Sequence, residues 1–167
     1  ISYPRPTICV VEGRCLGGGM ELAMGCDFVI AAEGAEFGQP EIRVGAFPPV
    51  AAALYPRLSG LRAATMLILT GRTIDAHQAK DLGYVNEVVA RERLDAAVDE
   101  LVKSLTQNSS AILAYAKKAL TESVNMGLEN ALRRAEEIYL KELVKTEDAV
   151  EGLKAFIEKR KPQWRNR

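Results

Sequence analysis

The sequence has a single histidine, three cysteines and no excess of charge of either sign. Its 167 residues include 22 basic and 22 acidic side chains, so the formal net charge at pH 7 is zero. A protein without a net field is not drawn to nucleic acid or to an anionic membrane. No apolar run reaches the roughly 20 residues that a transmembrane helix needs, and no signal peptide precedes the first predicted strand. We therefore expect a cytoplasmic protein that binds neither nucleic acid nor membrane.

The cysteines and the histidine do not form a pattern typical of a metal site or a disulfide framework. Cys9, Cys15 and Cys26 are odd in number and contain no C-x-x-C pair, so we interpret them as small buried hydrophobic residues. His77 falls in a predicted surface helix and is interpreted as structural. One histidine and scattered cysteines cannot supply the spacing of a metal site, and the sequence predicts none.

Three common catalytic motifs are also absent. The glycine-rich stretch at residues 17–19 is neither G-x-G-x-x-G nor a P-loop, because no Gly-Lys-Ser/Thr follows it. This excludes the usual dinucleotide-binding and nucleotide-hydrolysing sites. The chain contains no G-x-S-x-G, so a serine hydrolase of the nucleophile-elbow type is excluded as well.

The stretch that remains informative is a glycine turn between a strand and a helix. Residues 7–11 (TICVV) predict a buried strand, and residues 17–23 (GGGMELA) predict a glycine turn that opens a helix. The unpaired N–H groups and the dipole at a helix start favour negative charge, as an oxyanion site requires. Glu21 would stand beside this site as an acid or a base. Three glycines alone are equally typical of a simple tight turn.

A second acid, Glu41, strengthens the catalytic interpretation. It lies in a proline-stiffened loop, residues 37–42 (FGQPEI), after the predicted strand 28–32. A strand and its return loop can bring Glu41 beside Glu21. Two carboxylates facing an oxyanion site favour acid and base chemistry on a carbonyl compound.

The order of elements predicts an α/β protein with a helical end. A strand, a helix and a strand within about thirty residues form a βαβ pattern. Glycine turn 13–19 precedes a short helix 21–25; further predictions are strands 36–38 and 85–89 and helices 50–58, 62–69 and 76–82. After residue 90 apolar residues repeat at helical spacing in four stretches, the last from Thr146 to Pro162. The chain starts at Ile1 rather than Met, so we interpret it as part of a longer protein.

Four stretches together resemble the crotonase superfamily, specifically enoyl-CoA hydratases: residues 15–23 (CLGGGMELA), 37–42 (FGQPEI), 69–72 (LTGR) and 155–160 (AFIEKR). The resemblance implies the crotonase (ClpP-like) α/β fold, a spiral of βαβ units of which this chain is the C-terminal half. Residues 1–90 would be the partial spiral core with the catalytic groups. Residues 91–167 would be a helical region that contacts CoA and builds trimers, commonly stacked into hexamers.

The same resemblance implies a role for five residues. Gly18 matches the glycine whose N–H enters the oxyanion hole, and Glu21 and Glu41 match the two catalytic glutamates. Phe156 and Lys159 match positions that reach the CoA of a neighbouring subunit; otherwise they are a packed aromatic and a solvated lysine. The implied substrate is an acyl-CoA of fatty acid or aromatic acid metabolism. Since CoA is part of the substrate, no separate cofactor is implied.

Two departures from the family pattern leave alternatives open. The helix after the second glutamate starts Phe47-Pro48-Pro49 instead of with the Pro-Gly-rich stretch usual in hydratases, which resembles the cyclohexa-1,5-dienecarbonyl-CoA hydratases. The family's N-terminal half, with the other oxyanion N–H, is not found in the sequence. The implied activity is therefore hydration of an enoyl-CoA or a cyclic dienoyl-CoA. The alternatives are an enoyl-CoA isomerase of the same fold and an incomplete fragment that only assembles.

Overall fold

Two small sheets and a series of helices make up the residues that the computed structural model describes, 3–167. The chain divides into two compact units. The sheet unit is residues 7–100, and the helical unit is residues 101–167 together with 3–6. The predicted division at residue 90 into a core and an oligomerisation region stays a prediction.

The strands of the sheet unit are short. They are β1 (Ile8–Val11), β2 (Arg14–Leu16), β3 (Phe28–Ala32), β4 (Glu36–Gly38), β5 (Thr73–Asp75) and β6 (Glu87–Val89). One sheet has the parallel order β1-β3-β6, and the other has the order β2-β4-β5. In the second sheet β2 is parallel to β4, whereas β5 is antiparallel to it.

The helices account for most of the remaining chain. They are α1 (Gly18–Met24), α2 (Pro49–Ser59), α3 (Leu61–Thr70), α4 (Ala76–Asp81), α5 (Leu94–Thr106), α6 (Ser110–Ser123), α7 (Leu128–Lys141) and α8 (Glu147–Ile157). Pro49 begins α2, as the missing proline N–H predicts. Asp75 caps α4 by accepting the Gln78 N–H at 2.8 Å. The predicted α/β organisation is confirmed, with β1, α1 and the parallel partner β3 as its first βαβ unit.

Several predicted boundaries are wrong. The stretch 13–19 is not all turn, because β2 forms inside it, and α1 begins at Gly18 rather than Glu21. Strand β6 covers only the last part of the predicted 85–89, and β5 was not predicted. Helix α8 ends at Ile157 instead of Pro162, and Lys159 has the positive φ of 53°. A three-residue strand has too few positions to show a two-residue period.

An apolar core fills the sheet unit and includes the faces of both sheets. Met20 of α1, Phe37 of β4 and Leu67 of α3 are fully buried in it. Cys15 is also buried, whereas Cys9 and Cys26 are half-buried. The prediction that the cysteines are buried hydrophobic residues is therefore right for Cys15 and wrong for the other two.

A buried carboxylate organises the end of the helical unit. Asp148 of α8 accepts hydrogen bonds from the backbone N–H groups of Arg165 at 2.7 Å and Asn166 at 2.8 Å. It also accepts one from the hydroxyl of Ser109, which caps α6. Burial opposes ionisation of Asp148, but these donors outweigh it and lower the pKa below its ordinary value.

None of the helices described in residues 3–167 is both long enough and apolar enough to cross a membrane.

Candidate functional site

Gly17 is the residue on which the geometry of the glycine turn depends. It links β2 to α1 with φ 55° and ψ −129°, a conformation that suits glycine. A Cβ at this position would lie 2.7 Å from Oε1 of Glu41. The Gly17 N–H donates to the Gly38 carbonyl at 2.9 Å and so ties the turn to β4. The lack of space for a side chain and the backbone angle both require glycine at residue 17. The sequence pattern alone did not distinguish Gly17 from the two glycines that follow it.

Gly18 and Gly19 border open space instead. A Cβ at either position would have no atom within 4 Å, and both residues are exposed. Gly18 is the first residue of α1, so its N–H belongs to the group that has no acceptor inside the helix. The structure therefore places the predicted oxyanion glycine at an accessible helix start.

Glu21 lies in the first turn of α1 and is held by the start of α2. Its Oε1 accepts the N–H of Ala51 at 2.9 Å. Pro48 and Pro49, at the N-cap and first position of α2, have no N–H to offer. The Glu21 carboxylate is thus the acceptor for one of the few donors at this helix start, where the helix dipole favours a negative charge.

Glu41 lies in a short 3₁₀ helix, Pro40–Val44, which begins inside the proline-stiffened loop that the sequence predicted. The side-chain amide of Gln39 serves both neighbours when its N–H₂ faces the carboxylate. In this orientation the amide nitrogen lies 3.0 Å from Oε2 and 3.2 Å from Oε1 of Glu41, and the amide oxygen accepts from the Tyr55 hydroxyl. A fully buried amide therefore orients the second predicted glutamate.

The glycine turn joins the two acids. The Glu21 N–H donates to the Gly17 carbonyl at 3.0 Å, and the Glu41 carboxylate lies against the Gly17 backbone. Both side chains are half-buried, so each combines a fixed protein contact with partial access to solvent. Two carboxylates beside an accessible helix start can exchange protons with a molecule bound there. The catalytic roles of Glu21, Glu41 and Gly18 stay predictions.

Two buried tyrosines lie behind the acids. The Tyr55 and Tyr84 rings have centroids 5.1 Å apart, and the Tyr84 hydroxyl lies 2.5 Å from the hydroxyl of Ser59. Burial raises the pKa of both phenols, so they stay protonated at neutral pH. Sequence reasoning did not identify Tyr55 or Gln39, because a tyrosine on an apolar helix face and a single glutamine carry no distinctive signal.

Phe156 and Lys159 belong to the helical unit. Phe156 is 82% exposed at the end of α8, which contradicts its interpretation as a packed aromatic. Lys159 is exposed and follows α8 with a left-handed backbone. Next to it, Arg160 bonds to Glu151 at 2.6 Å and to Glu158 at 2.6 Å, which fixes the path of the chain there. Contact of Phe156 and Lys159 with CoA stays a prediction.

Comparison with known proteins gives one consistent family. The family model for enoyl-CoA hydratase/isomerase matches residues 1–167. A cyclohexa-1,5-dienecarbonyl-CoA hydratase of Thauera aromatica is 38% identical over 167 residues, which cover 100% of this chain and 64% of that protein. The chain therefore spans less than two thirds of the length of this relative.

Solved structures of the same family share the fold. An enoyl-CoA hydratase/isomerase from Mycobacterium paratuberculosis is 30% identical with a TM-score of 0.93, covering 99% of this chain and 62% of the other. An enoyl-CoA hydratase from Bacillus anthracis is 35% identical with a TM-score of 0.89, covering 98% of this chain and 64% of the other. The predicted crotonase fold is confirmed by these similarities.

Proposed function

The chain belongs to the enoyl-CoA hydratase/isomerase family, and we propose that it acts as a hydratase that adds water to an enoyl-CoA thioester. The observation that carries this proposal is the position of Glu21 and Glu41 at one glycine turn. Hydration needs a group that takes a proton from water and a group that delivers a proton to carbon. Two glutamates beside the proposed oxyanion site, one ionised and one protonated, would provide both.

In the proposed reaction Glu21 and Glu41 hold a water molecule at the double bond. One glutamate, ionised, takes a proton from water as the water oxygen bonds to the β-carbon, and the other, protonated, delivers its proton to the α-carbon. The electron pair of the double bond passes through an enolate-like state before the new C–H bond forms. The product is the 3-hydroxyacyl thioester, with one water added; the proton of the pair now lies on the other glutamate, and its transfer back restores the starting state.

Gly18 would stabilise the negative charge that develops on the thioester oxygen. Its N–H at the start of α1 is a preorganised donor, and it would bind the enolate-like state more strongly than the neutral substrate. Loss of one such donor typically costs about 3 to 4 kcal/mol of transition-state stabilisation.

The hydrogen bonds behind each acid support separate anchoring of the pair. Glu21 is held by the Ala51 N–H, and Glu41 is held by the Gln39 amide. Each carboxylate keeps further lone pairs that can accept a bond from water. Fixed orientation of reacting groups accounts for a large part of many enzymatic rate enhancements.

A cyclic dienoyl-CoA is a second candidate substrate, favoured by the start of α2. The family usually has a Pro-Gly-rich start to this helix, whereas here Pro49 follows Pro48 and removes an N–H that a glycine would point at the active site. The relative from Thauera aromatica is named for cyclohexa-1,5-dienecarbonyl-CoA. We therefore include a cyclic dienoyl thioester beside a linear enoyl thioester in the test.

Assembly and contact with CoA complete the proposal. The apolar faces of α6 and α7 are exposed at Leu120, Leu128 and Leu132, which supports assembly into a trimer or into a hexamer of two stacked trimers. Phe156 and Lys159 would then contact the CoA of a neighbouring subunit, with the lysine ammonium near phosphate.

The test measures the loss of enoyl-thioester absorbance with crotonyl-CoA and with cyclohexa-1,5-dienecarbonyl-CoA, with products identified by mass. Glu41→Gln should lower kcat by at least about a hundredfold, as for removal of a general acid or base. Glu33→Gln is the matched control, because Glu33 is an exposed acid in the turn after β3. Unchanged hydration by Glu41→Gln would contradict the mechanism; a product with a shifted double bond and no added water would indicate the isomerase instead.

A further inference from the structure

A buried chain of hydrogen bonds connects Tyr55 of α2 to the carboxylate of Glu41. Tyr55 and Gln39 are both 0% exposed, and the Gln39 amide bridges the phenol and the carboxylate. Neither Tyr55 nor Gln39 is required as a proton donor or acceptor in the proposed reaction. Their polar atoms are nevertheless buried in an otherwise apolar core, where an unmade hydrogen bond is costly.

The direction of every hydrogen bond in this chain follows from the carboxylate. The Gln39 amide has both of its partners only when its N–H₂ faces the oxygens of Glu41 and its own oxygen faces the Tyr55 hydroxyl. The Tyr55 hydroxyl must then donate. If the amide turned over, its oxygen would face the carboxylate, and two acceptors would meet without a proton between them.

The position of Tyr55 is itself well fixed. Its ring packs at 56° to the ring of Tyr84, and the Tyr84 hydroxyl is held by Ser59. Tyr55 also lies four residues after Ala51, on the same face of α2. Helix α2 therefore contacts both acids: Ala51 at its start through the backbone N–H to Glu21, and Tyr55 through Gln39 to Glu41.

We propose that Tyr55 is a positioning residue for hydration: its hydroxyl keeps the Gln39 amide in the one orientation that holds the Glu41 carboxylate. The inference rests on the proposed function for its effect on rate. Tyr55 has no exposed surface, so it does not contact substrate. Its removal should therefore change turnover and leave substrate affinity nearly unchanged.

The decisive comparison is between Tyr55→Phe and Tyr84→Phe. Each change removes one buried hydroxyl from the same ring pair, but only the first removes a partner of Gln39. Tyr55→Phe should lower kcat about tenfold, equivalent to about 1.4 kcal/mol, with KM within about twofold. Tyr84→Phe should lower thermal stability about as much as Tyr55→Phe does, but it should leave kcat within about twofold. Equal kcat values for the two variants would overturn the proposal.

A double-mutant cycle tests whether Tyr55 acts through the amide. Gln39→Leu removes the amide altogether, so a turned-over amide can no longer oppose the carboxylate. In this background Tyr55→Phe should cause no further loss of kcat, because its effect requires Gln39. Full additivity of the two losses would overturn the proposed route.

A readout without turnover separates this inference from the proposed function. In protein labelled with ¹⁵N-glutamine, the side-chain N–H₂ resonances of Gln39 should move in Tyr55→Phe and stay in place in Tyr84→Phe. Unmoved resonances in Tyr55→Phe would overturn the inference even in an active enzyme. Absence of hydration by the unchanged protein, with the resonance shift present, would instead refute the proposed function alone.

Discussion

The two units of the chain are held together in different ways. In the sheet unit, residues 7–100, large side chains such as Phe37 and Leu67 are fully buried in a shared apolar core. In the helical unit, residues 101–167, the most buried polar groups are Ser109 and Asp148, and many large apolar side chains stay exposed. The sheet unit thus gains its stability from burial, which is also what lets it fix two carboxylates. In the helical unit Ser109 and Asp148 share a buried hydrogen bond, and more of the apolar surface stays exposed.

A phenylalanine is buried in the sheet unit and another is exposed in the helical unit, and their replacement should give the largest difference in stability between the two units. Phe37→Ala should lower the free energy of unfolding by about 3 to 5 kcal/mol, because a fully buried ring is lost. Phe156→Ala should change it by less than about 0.5 kcal/mol, because the ring is 82% exposed. Denaturant unfolding measures both values.

Phe156→Ala should have its larger effect on CoA binding and not on stability. If Phe156 contacts CoA, Phe156→Ala should weaken CoA binding in calorimetry although the fold is unchanged. A large stability loss in Phe156→Ala would contradict the exposed position of the ring. Unchanged CoA affinity would remove its proposed role.

Gly17→Ala is the next largest expected effect and connects the fold to the site. A positive φ and a Cβ 2.7 Å from Glu41 together should cost about 1 to 3 kcal/mol of stability. Displacement of the carboxylate should lower hydration about a hundredfold. Gly19→Ala, which introduces a Cβ into open space, should change stability by less than about 1 kcal/mol. Equal effects of the two substitutions would show that the turn does not constrain Glu41.

The smallest effect is a difference in pH response. Arg160 and the Gln163 N–H lower the pKa of Glu151 in the helical unit from 4.5 to about 2. In the unfolded protein this carboxyl binds a proton more readily. Its contribution to the stability of the fold is therefore complete above about pH 4.5 and is lost as the pH falls from 4.5 to 2. In the sheet unit, burial and Cys9 raise the pKa of Cys15 from 9.0 to about 11. The contribution of the protonated Cys15 thiol to the stability of the fold is complete below pH 9 and is lost as the pH rises toward 11.

We therefore expect the helical unit to loosen first in acid and the sheet unit first in alkali. Trp164, the single tryptophan, reports on the helical unit because its indole N–H donates to the Gln107 carbonyl at 2.8 Å. In acid its fluorescence should change before the far-ultraviolet circular dichroism does, and in alkali it should change last. Coincident transitions at both ends of the pH range would contradict the separate behaviour of the units.

Much of the backbone could be predicted from the sequence because its signals are local. Strand Phe28–Ala32, the start of α2 at Pro49 and the cap at Asp75 each follow from a few adjacent residues. Strands β2 and β5 could not be predicted in this way, since three residues show no period and depend on their partner β4.

The residues of the candidate site also differ in whether local sequence signals could identify them. The acids Glu21 and Glu41 could be singled out as candidates from residue type and position near glycines. The requirement for glycine at residue 17 could not, because it arises from a backbone angle and a carboxylate 24 positions away. The bridge from Tyr55 through Gln39 also depends on side chains that meet only after folding.

The contacts of α2 with both acids have one further consequence. Ala51 and Tyr55, one helical turn apart, connect the same rigid rod to Glu21 and, through Gln39, to Glu41. A displacement of α2 would therefore disturb the hydrogen bonds of both acids together. One helix thus couples the positions of two acids that belong to different parts of the chain.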